Sequence, residues 1–246
     1  MVDEVLFEKA KDIMTSGIRG GNGIGTLSEK SVHAVLKFYY APNEQSHEIK
    51  IGEYVADACY DGEIYEIQTR NFYTMKKKLE TYFQNGYDVT IVYPVSEINT
   101  IVWIDKESGE LQRSRKVRVK NRYKEILSEI YGIREFLKED KLHFIIAILE
   151  TEDYRFLDGF GKDKKVRATK TDKYPVRMID EIRIDDRSDL KIFLPDNLSE
   201  IFDKAAYSKE EGIHPTDAGI ALRVLEEAGL VEKNGKEGRK FLYRKV

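Results

Sequence analysis

Two carboxylates and one amide lie close together in the first third of the chain, at a spacing that suits metal-ion chemistry. Asp57 ends a predicted strand, and the dipeptide Asp61-Gly62 supplies a tight turn. The returning strand carries Glu66 and Gln68. Residues two apart on a strand share a face, and a hairpin of this length can bring Asp57 beside them. Converging oxygen ligands suit Mg²⁺, which takes one or two carboxylates and keeps several waters.

Other interpretations of these acids remain open. A half-exposed strand commonly carries acids that simply face solvent, and this applies to Asp57 and Glu66. Glu29, near the start of the helix predicted for residues 27–40, either adds a ligand to the metal or forms a capping box with Thr26. In a capping box, a Glu three residues after the cap accepts a hydrogen bond from a backbone N–H.

The elements that must position these residues follow from hydrophobic periodicity. The order of helices and strands predicts an α/β (α+β) fold, with a mixed central sheet flanked by helices. A buried strand ends at Pro94, and residues 158–173 form a loop. Helices are predicted for residues 4–14, 27–40, 73–84 and 122–137, and strands for residues 47–51, 54–59, 64–69, 89–93, 101–104, 111–119 and 142–149.

The pattern changes at about residue 195. One helix is predicted around residues 201–205, and a second begins at a Thr216 cap and ends at Gly229. A hairpin with an Asn234-Gly235 turn follows. Two helices and a hairpin in so short a segment resemble a winged helix-turn-helix. The sequence therefore predicts two domains, one of residues 1–194 and one of residues 195–246.

The order of elements over residues 27–93, together with Asp57 and the Glu66-x-Gln68 motif, resembles the PD-(D/E)XK nuclease superfamily. The resemblance implies a restriction-endonuclease-like fold in which Asp57 and Glu66 hold Mg²⁺ or Mn²⁺ and Glu29 completes the catalytic group. Gln68 stands where the superfamily usually has Lys, so it can orient water through its dipole but cannot exchange a proton. The match of motif and element order favours a metal site over solvent-exposed acids.

A second resemblance covers most of the chain. The Gly21–Tyr40 segment, the Glu66–Arg70 strand and the terminal winged helix resemble an uncharacterised family of bacterial proteins with the same layout. This resemblance implies the architecture and leaves the activity open.

Basic charge is concentrated in three segments, although the formal net charge is only −3, with 41 Lys and Arg against 44 Asp and Glu. Residues 112–124 hold seven basic residues and no acid, and residues 161–173 and 231–246 each carry a net charge of +4. The net charge of −3 excludes a uniformly cationic binder, and the segregation of the basic residues favours a local face for phosphates. The predicted nucleic-acid contacts are Arg113, Arg115, Lys116, Arg118, Lys120, Lys164, Lys165, Arg167, Arg223, Lys236, Arg239 and Lys240.

The predicted recognition helix, residues 216–228, is acidic in its outward positions. Base reading in the major groove normally uses Arg, Lys, Asn or Gln near the helix start. The wing is basic, so backbone contact is the better prediction, and a protein-interaction module is the alternative.

Composition excludes several classes. No apolar run is long enough to span a membrane, and the N-terminus lacks the features of a signal peptide. A single cysteine, Cys59, excludes an internal disulfide. We predict a soluble, cytoplasmic Mg²⁺-dependent endonuclease acting on double-stranded DNA in restriction, defence or repair, with a homodimer expected by analogy with restriction enzymes. The alternative is a DNA-binding or scaffold protein whose nuclease-like core has lost turnover together with its Lys.

Overall fold

The computed structural model describes residues 2–19, 31–157 and 168–246, and this part of the chain contains six α-helices and eleven strands. In chain order they are α1 (Glu4–Arg19), α2 (Ser31–Tyr40), β1 (His47–Ile51), β2 (Tyr54–Tyr60), β3 (Glu63–Ile67), α3 (Lys76–Gln84), β4 (Asp88–Ile104), β5 (Leu111–Arg113), β6 (Val117–Arg118), α4 (Ile126–Ile130), β7 (Leu142–Phe156), β8 (Thr169–Ile184), β9 (Ile201–Asp203), α5 (Lys204–Glu211), α6 (Pro215–Glu227), β10 (Val231–Glu237) and β11 (Lys240–Lys245).

The large sheet is mixed. Its strands run in the order β1-β2-β3-β4-β7-β8, and β5 and β6 also pair with β4. The β1–β2 and β2–β3 pairs are antiparallel. In contrast, β4 and β7 are parallel, because Val89 N donates to the Lys141 carbonyl at 2.8 Å near their starts and Leu157 N donates to the Ile104 carbonyl at 3.0 Å near their ends. The predicted fold class, a mixed sheet flanked by helices, is confirmed.

The hairpin that carries the candidate site closes as the sequence predicts. Tyr60 pairs with Glu63, which leaves Asp61 and Gly62 as a two-residue turn. Both turn residues have positive φ, 53° and 84°. A tight hairpin turn of this kind demands left-handed backbone at both positions, and Asp-Gly supplies it at low cost.

One predicted strand end and one predicted loop were wrong. β4 continues through Pro94 to residue 104 as one strand. Proline's fixed φ is compatible with extended backbone and removes only one N–H from the ladder. Residues 169–173, predicted as loop, belong to β8, where Thr171 Oγ1 donates to the Tyr154 carbonyl of β7 at 2.9 Å. Pairing with a neighbouring strand outweighs local preference in both cases.

The C-terminal residues form a three-stranded sheet in the order β10-β11-β9, with α5 and α6 between β9 and β10 in sequence. α6 begins at Pro215 after an N-cap at His214, whose side chain accepts from Thr216 N at 3.3 Å. The predicted cap at Thr216 was therefore wrong. The predicted stop is confirmed, because Gly229 follows the C-cap with a φ of 79°.

The terminal hairpin turns at a different place from the one predicted. Glu237 pairs with Lys240, so the connecting residues are Gly238 and Arg239. Gly235 instead lies within β10, at an irregularity in the pairing, with a φ of 90°. An Asn-Gly pair supports a bulge as readily as a turn, since both need left-handed backbone.

The chain forms two compact units. The first unit contains residues 1–67, 92–122 and 146–182, and the second contains residues 68–91, 123–145 and 183–246. All of β9, α5, α6, β10 and β11 belong to the second unit. The predicted boundary after residue 194 stays a prediction.

Candidate functional site

Asp57 joins three elements through its carboxylate. Its Oδ2 accepts a hydrogen bond from the backbone N–H of Ile67, on β3, at 2.9 Å. The same oxygen lies 3.0 Å from Nε2 of His33, on α2. An ionised carboxylate only accepts, so the second contact is a hydrogen bond when Nε2 of His33 carries the proton. With 25% of its side chain exposed, Asp57 is held by neighbours yet accessible.

Glu66 is buried on the neighbouring strand, with 4% of the residue exposed. The backbone pairing of β2 with β3 runs from Tyr60 and Glu63 to Ala58 and Tyr65. One step further, the same register sets Asp57 opposite Glu66, and residues in that relation have Cβ atoms about 4.5–5.5 Å apart. The register therefore predicts that the two side chains lie on the same face of the hairpin.

The backbone hydrogen bonding between β2 and β3 becomes irregular next to Asp57. The N–H of Ile67 bonds to the Asp57 carboxylate, where a regular ladder would offer a backbone carbonyl. A side chain that replaces a ladder acceptor is held in one orientation. Asp57 is therefore positioned by β3 as well as by its own strand.

The site residues predicted from the sequence did not include His33, so its contact with Asp57 was missed. The available signal was its position four residues after Glu29, because residues at that spacing share one face of the helix predicted for residues 27–40. Glu29 itself lies outside the described residues, so its two interpretations stay predictions. The first residue of α2, Ser31, donates from its backbone N to Asp172 Oδ1 on β8 at 3.2 Å and from its hydroxyl to the other carboxylate oxygen. This contact secures the helix that carries His33.

Gln68 comes immediately after β3, which ends at Ile67. The alternation that predicted a shared face with Glu66 therefore does not extend to it. Its Nε2 donates to the Arg70 carbonyl at 2.8 Å, so part of the amide is used by the local turn. What Gln68 can offer a substrate is a dipole without charge.

The donor set suits a hydrated divalent ion. Among residues 2–19, 31–157 and 168–246, no group of three or more His, Cys, Asp and Glu side chains is arranged to hold a metal. Asp57 and Glu66, on neighbouring strands, are the two carboxylates that the sequence predicts as ligands. Mg²⁺ is commonly bound by one or two carboxylates and several waters, whereas structural Zn²⁺ needs four protein ligands.

Acidic partners neutralise much of the basic segment around β5 and β6. Arg113 lies 3.2 Å from Glu152, Lys116 lies 2.5 Å from Glu150 and Arg118 lies 2.6 Å from Glu97. Hydrogen bonds from Lys116 and Arg177 lower the pKa of Glu150, and the hydrogen bond with Glu152 raises the pKa of Arg113. These cations are partly satisfied by the protein itself.

Arg115 and Lys120 differ from their neighbours. Both are exposed, and neither forms an ion pair within the described residues. They are the cations of this segment best placed to meet phosphate.

Contacts inside the second unit occupy several of the other predicted cations. Arg223, on α6, donates to the Tyr131 hydroxyl at 2.9 Å. Lys240 pairs with Asp203 at 3.1 Å, and Lys236 Nζ lies 4.4 Å from the centre of the Phe241 ring. Arg239 is exposed in the β10–β11 turn. Lys164, Lys165 and Arg167 lie outside the described residues.

Side chains on the exposed side of α6 also contact other residues of the second unit. Glu227 pairs with Lys138 at 2.8 Å, and Lys138 belongs to the same 3₁₀ segment, Tyr131–Lys138, that provides the partner of Arg223. Two outward positions of α6, one turn apart, are therefore engaged by the protein. This agrees with the acidic character of the helix, which offers little for base reading.

Comparison with known proteins gives one match. Residues 30–185 match a family model described as "Domain of unknown function (DUF8091)". No curated protein and no solved structure matches the chain. The matched span includes Asp57, Glu66 and Gln68 and ends one residue after β8.

None of the helices in the described part of the chain is both long and apolar enough to cross a membrane.

Proposed function

The chain belongs to the DUF8091 family, and from its Asp57–Glu66 hairpin we propose that it is a Mg²⁺-dependent endonuclease that hydrolyses phosphodiester bonds in DNA. The observation that supports the proposal is the orientation of the Asp57 carboxylate by Ile67 N–H and His33, on the strand next to the one that carries Glu66. Two acids on one face of adjacent strands are a common way to bind a divalent cation, which takes one or two carboxylates together with several waters.

Each residue has a definite task in this proposal. Asp57 and Glu66 hold the metal, and His33 keeps the Asp57 carboxylate in place. When bound, Mg²⁺ or Mn²⁺ supplies Lewis-acid polarisation and a water of lowered pKa. Gln68 orients water through its amide dipole, while Glu29 is proposed as a further ligand from the segment before α2.

The substrate in this proposal is double-stranded DNA in the cytoplasm, in restriction, defence or repair. The β9–β11 region with α5 and α6 serves as a winged helix that contacts the DNA backbone through its hairpin. A homodimer would place one site on each strand of the duplex.

The direct test is cleavage of plasmid and single-stranded DNA in Mg²⁺ or Mn²⁺. Asp57→Ala and Glu66→Ala should each lower the rate about 100-fold or more, since each removes a ligand of the ion that activates water. Glu53→Ala removes an exposed acid of the β1–β2 turn and serves as the matched control. Equal activity in the wild type and both site variants would contradict the proposal.

A second candidate function is a DNA-binding or scaffold protein without turnover. The amide of Gln68, partly used by Arg70, favours it because an amide at this position supplies no positive charge to the transition state, whereas a Lys would. In this case the wild type binds DNA but does not cleave it in either metal. Cleavage that appears only in Gln68→Lys would identify the missing charge as the cause.

A further inference from the structure

Two arginine side chains meet on Tyr131, a half-buried residue at the start of the 3₁₀ segment Tyr131–Lys138. The guanidinium carbon of Arg134 lies 4.2 Å from the centre of the Tyr131 ring, and that of Arg223, on α6, lies 5.9 Å from it. Arg134 belongs to the same segment as Tyr131, whereas Arg223 is 92 positions away in the sequence. All three residues lie in the second unit, and its fold brings two cations to one aromatic ring.

Hydrogen bonds orient both guanidinium groups. Nη1 of Arg134 donates to the Tyr131 carbonyl at 2.8 Å, and Nη1 of Arg223 donates to the Tyr131 hydroxyl oxygen at 2.9 Å. Both acceptors are neutral, and neither arginine makes another hydrogen bond within the described residues. Because a guanidinium carries five N–H donors, most donors of the two side chains remain for a ligand.

The acids that follow Arg223 on α6 have other partners. Glu226 pairs with Lys233, on β10, at 2.9 Å, and Glu227 pairs with Lys138 at 2.8 Å. In the described part of the chain, Arg223 itself forms no ion pair. The acidic end of the helix therefore does not neutralise Arg223 by direct contact, and the Glu226–Lys233 pair places the basic β10–β11 hairpin beside it.

The acid next to Arg134 in the sequence is also paired elsewhere. Burial acts to raise the pKa of Glu135, but the hydrogen bond with Lys76 lowers it, and the charge of Arg134 contributes last. The direct contact of Glu135 is with Lys76. Arg134 forms no ion pair with any described residue. Both arginines on Tyr131 thus keep their charge without a carboxylate in contact.

The Tyr131 hydroxyl adds a third donor to the two guanidinium groups. The hydrogen bond from Arg223 lowers the pKa of Tyr131, desolvation opposes this shift, and the charges of Arg134 and Arg223 lower the pKa further. Because the oxygen accepts from Arg223, the hydroxyl proton can be donated elsewhere, and no described residue accepts it. A hydroxyl polarised by cations is a good donor to an anion.

These three donors open to solvent. Arg223 is exposed, and Arg134 and Tyr131 are half-buried. Small phosphate esters normally bind in clefts that enclose them, whereas nucleic-acid backbones are contacted on open basic surfaces. The hairpin beside α6 carries further exposed cations, Lys236 and Arg239. An open group next to a basic hairpin therefore suits the phosphates of a polymer.

We propose that Tyr131, Arg134 and Arg223 bind the phosphate backbone of DNA. Their N–H and O–H groups donate to the non-bridging phosphate oxygens. Contacts of this kind position a protein on DNA without reading its sequence. The inference rests on the DNA partner of the proposed function, but it uses neither the metal nor Asp57.

Fluorescence anisotropy with a short DNA duplex in EDTA tests the site without cleavage. Arg134→Gln and Arg223→Gln should each weaken binding about fivefold or more and lower the slope of log affinity against log salt concentration by about 0.9, since each removes a phosphate contact. Tyr131→Phe keeps both cations, so it should weaken binding about threefold with an unchanged slope. Arg187→Gln, at an exposed arginine of the same unit, is the matched control and should bind like the wild type.

The loss should be equal on two duplexes of different sequence, because phosphate contacts carry no sequence information. Thermal melts by circular dichroism confirm that each variant is folded. The proposal is overturned if the wild type binds no duplex, if both folded arginine variants bind like the wild type, or if the loss is confined to one sequence. Asp57→Ala should bind DNA normally in EDTA, so a protein that binds through these residues without cleaving DNA contradicts only the nuclease proposal.

Discussion

Asp57 illustrates how a side chain acquires a role from its neighbours. Its type and its position before a hairpin turn marked it as a candidate ligand. The hydrogen bonds from Ile67 and His33 give the carboxylate a fixed orientation, which an exposed acid on a strand would lack. Local spacing indicated the Asp and the Glu, whereas the contact of His33 with Asp57 depends on the packing of α2.

Another acid, Glu211 in the second unit, gives a prediction at the residue scale. It is buried beside Lys124, whose Nζ lies 3.0 Å from Oε1 of Glu211 and donates to its carbonyl at 2.6 Å. Burial raises the pKa of Glu211 even though Lys124 acts to lower it. We expect Lys124→Met to lower the free energy of unfolding by about 3–5 kcal/mol near pH 8, because it leaves a buried charge without a partner.

The pH dependence of this loss follows from linkage. A carboxyl whose pKa is raised on folding contributes stability fully below its unfolded pKa, and the contribution disappears as pH rises through the folded pKa. Removing Lys124 raises that pKa further, so the deficit should be larger at pH 8 than at pH 5 in urea denaturation. The double variant Lys124→Met with Glu211→Gln should recover most of the loss. An equal deficit at both pH values would contradict this explanation.

At the scale of elements, local and long-range effects can be separated. The β2–β3 hairpin was predictable because Asp61-Gly62 satisfies a backbone requirement within a few residues. The path of β4 through Pro94 was not, because it depends on partners far away in sequence.

Two glycines in helical segments should respond in opposite directions to alanine. A Cβ at Gly132, in the Tyr131–Lys138 segment, would lie 3.0 Å from Tyr73 Cβ and 3.1 Å from Tyr73 N. Gly132→Ala should therefore destabilise the protein by about 1–3 kcal/mol through overpacking. At Gly219, in α6, the nearest atom would be Lys204 Cδ at 3.6 Å, an ordinary contact. Gly219→Ala should stabilise by up to about 1 kcal/mol. Urea denaturation of both variants measures the signs, and a shared sign would refute the steric argument.

At the scale of the molecule, the distribution of charge matters more than its sum. A net charge of −3 conceals strongly basic segments, yet Arg113, Lys116 and Arg118 have acidic partners on β4 and β7. Counting basic residues along the chain therefore overestimates the charge that a nucleic acid would meet. Arg115 and Lys120 remain as the exposed cations of this segment without an ion pair in the described structure.

Because some of these cations have acidic partners and others do not, we expect substitutions at the two kinds of cation to weaken DNA binding by different amounts. If DNA is the ligand, Arg115→Gln with Lys120→Gln should reduce the slope of log affinity against log salt concentration by about 2, since each lost phosphate contact contributes about 0.9. Arg113→Gln with Arg118→Gln should change it by less than about 1, because these cations already have partners. Fluorescence anisotropy with a DNA duplex at several salt concentrations measures both slopes. A larger effect from the paired cations would reverse this ranking.

The origin of each feature reflects the range of the forces behind it. Helical periodicity, the Asp61-Gly62 turn and the choice of Asp57 and Glu66 arise from interactions within a few residues, so they could be read from the chain. The contact of His33 with Asp57 joins residues 24 positions apart in the sequence, and the contact of Arg223 with Tyr131 joins residues 92 positions apart. The parallel pairing of β4 with β7 depends on which strands lie next to each other in the sheet. Such contacts follow from strand register and helix packing, which many distant side chains determine together.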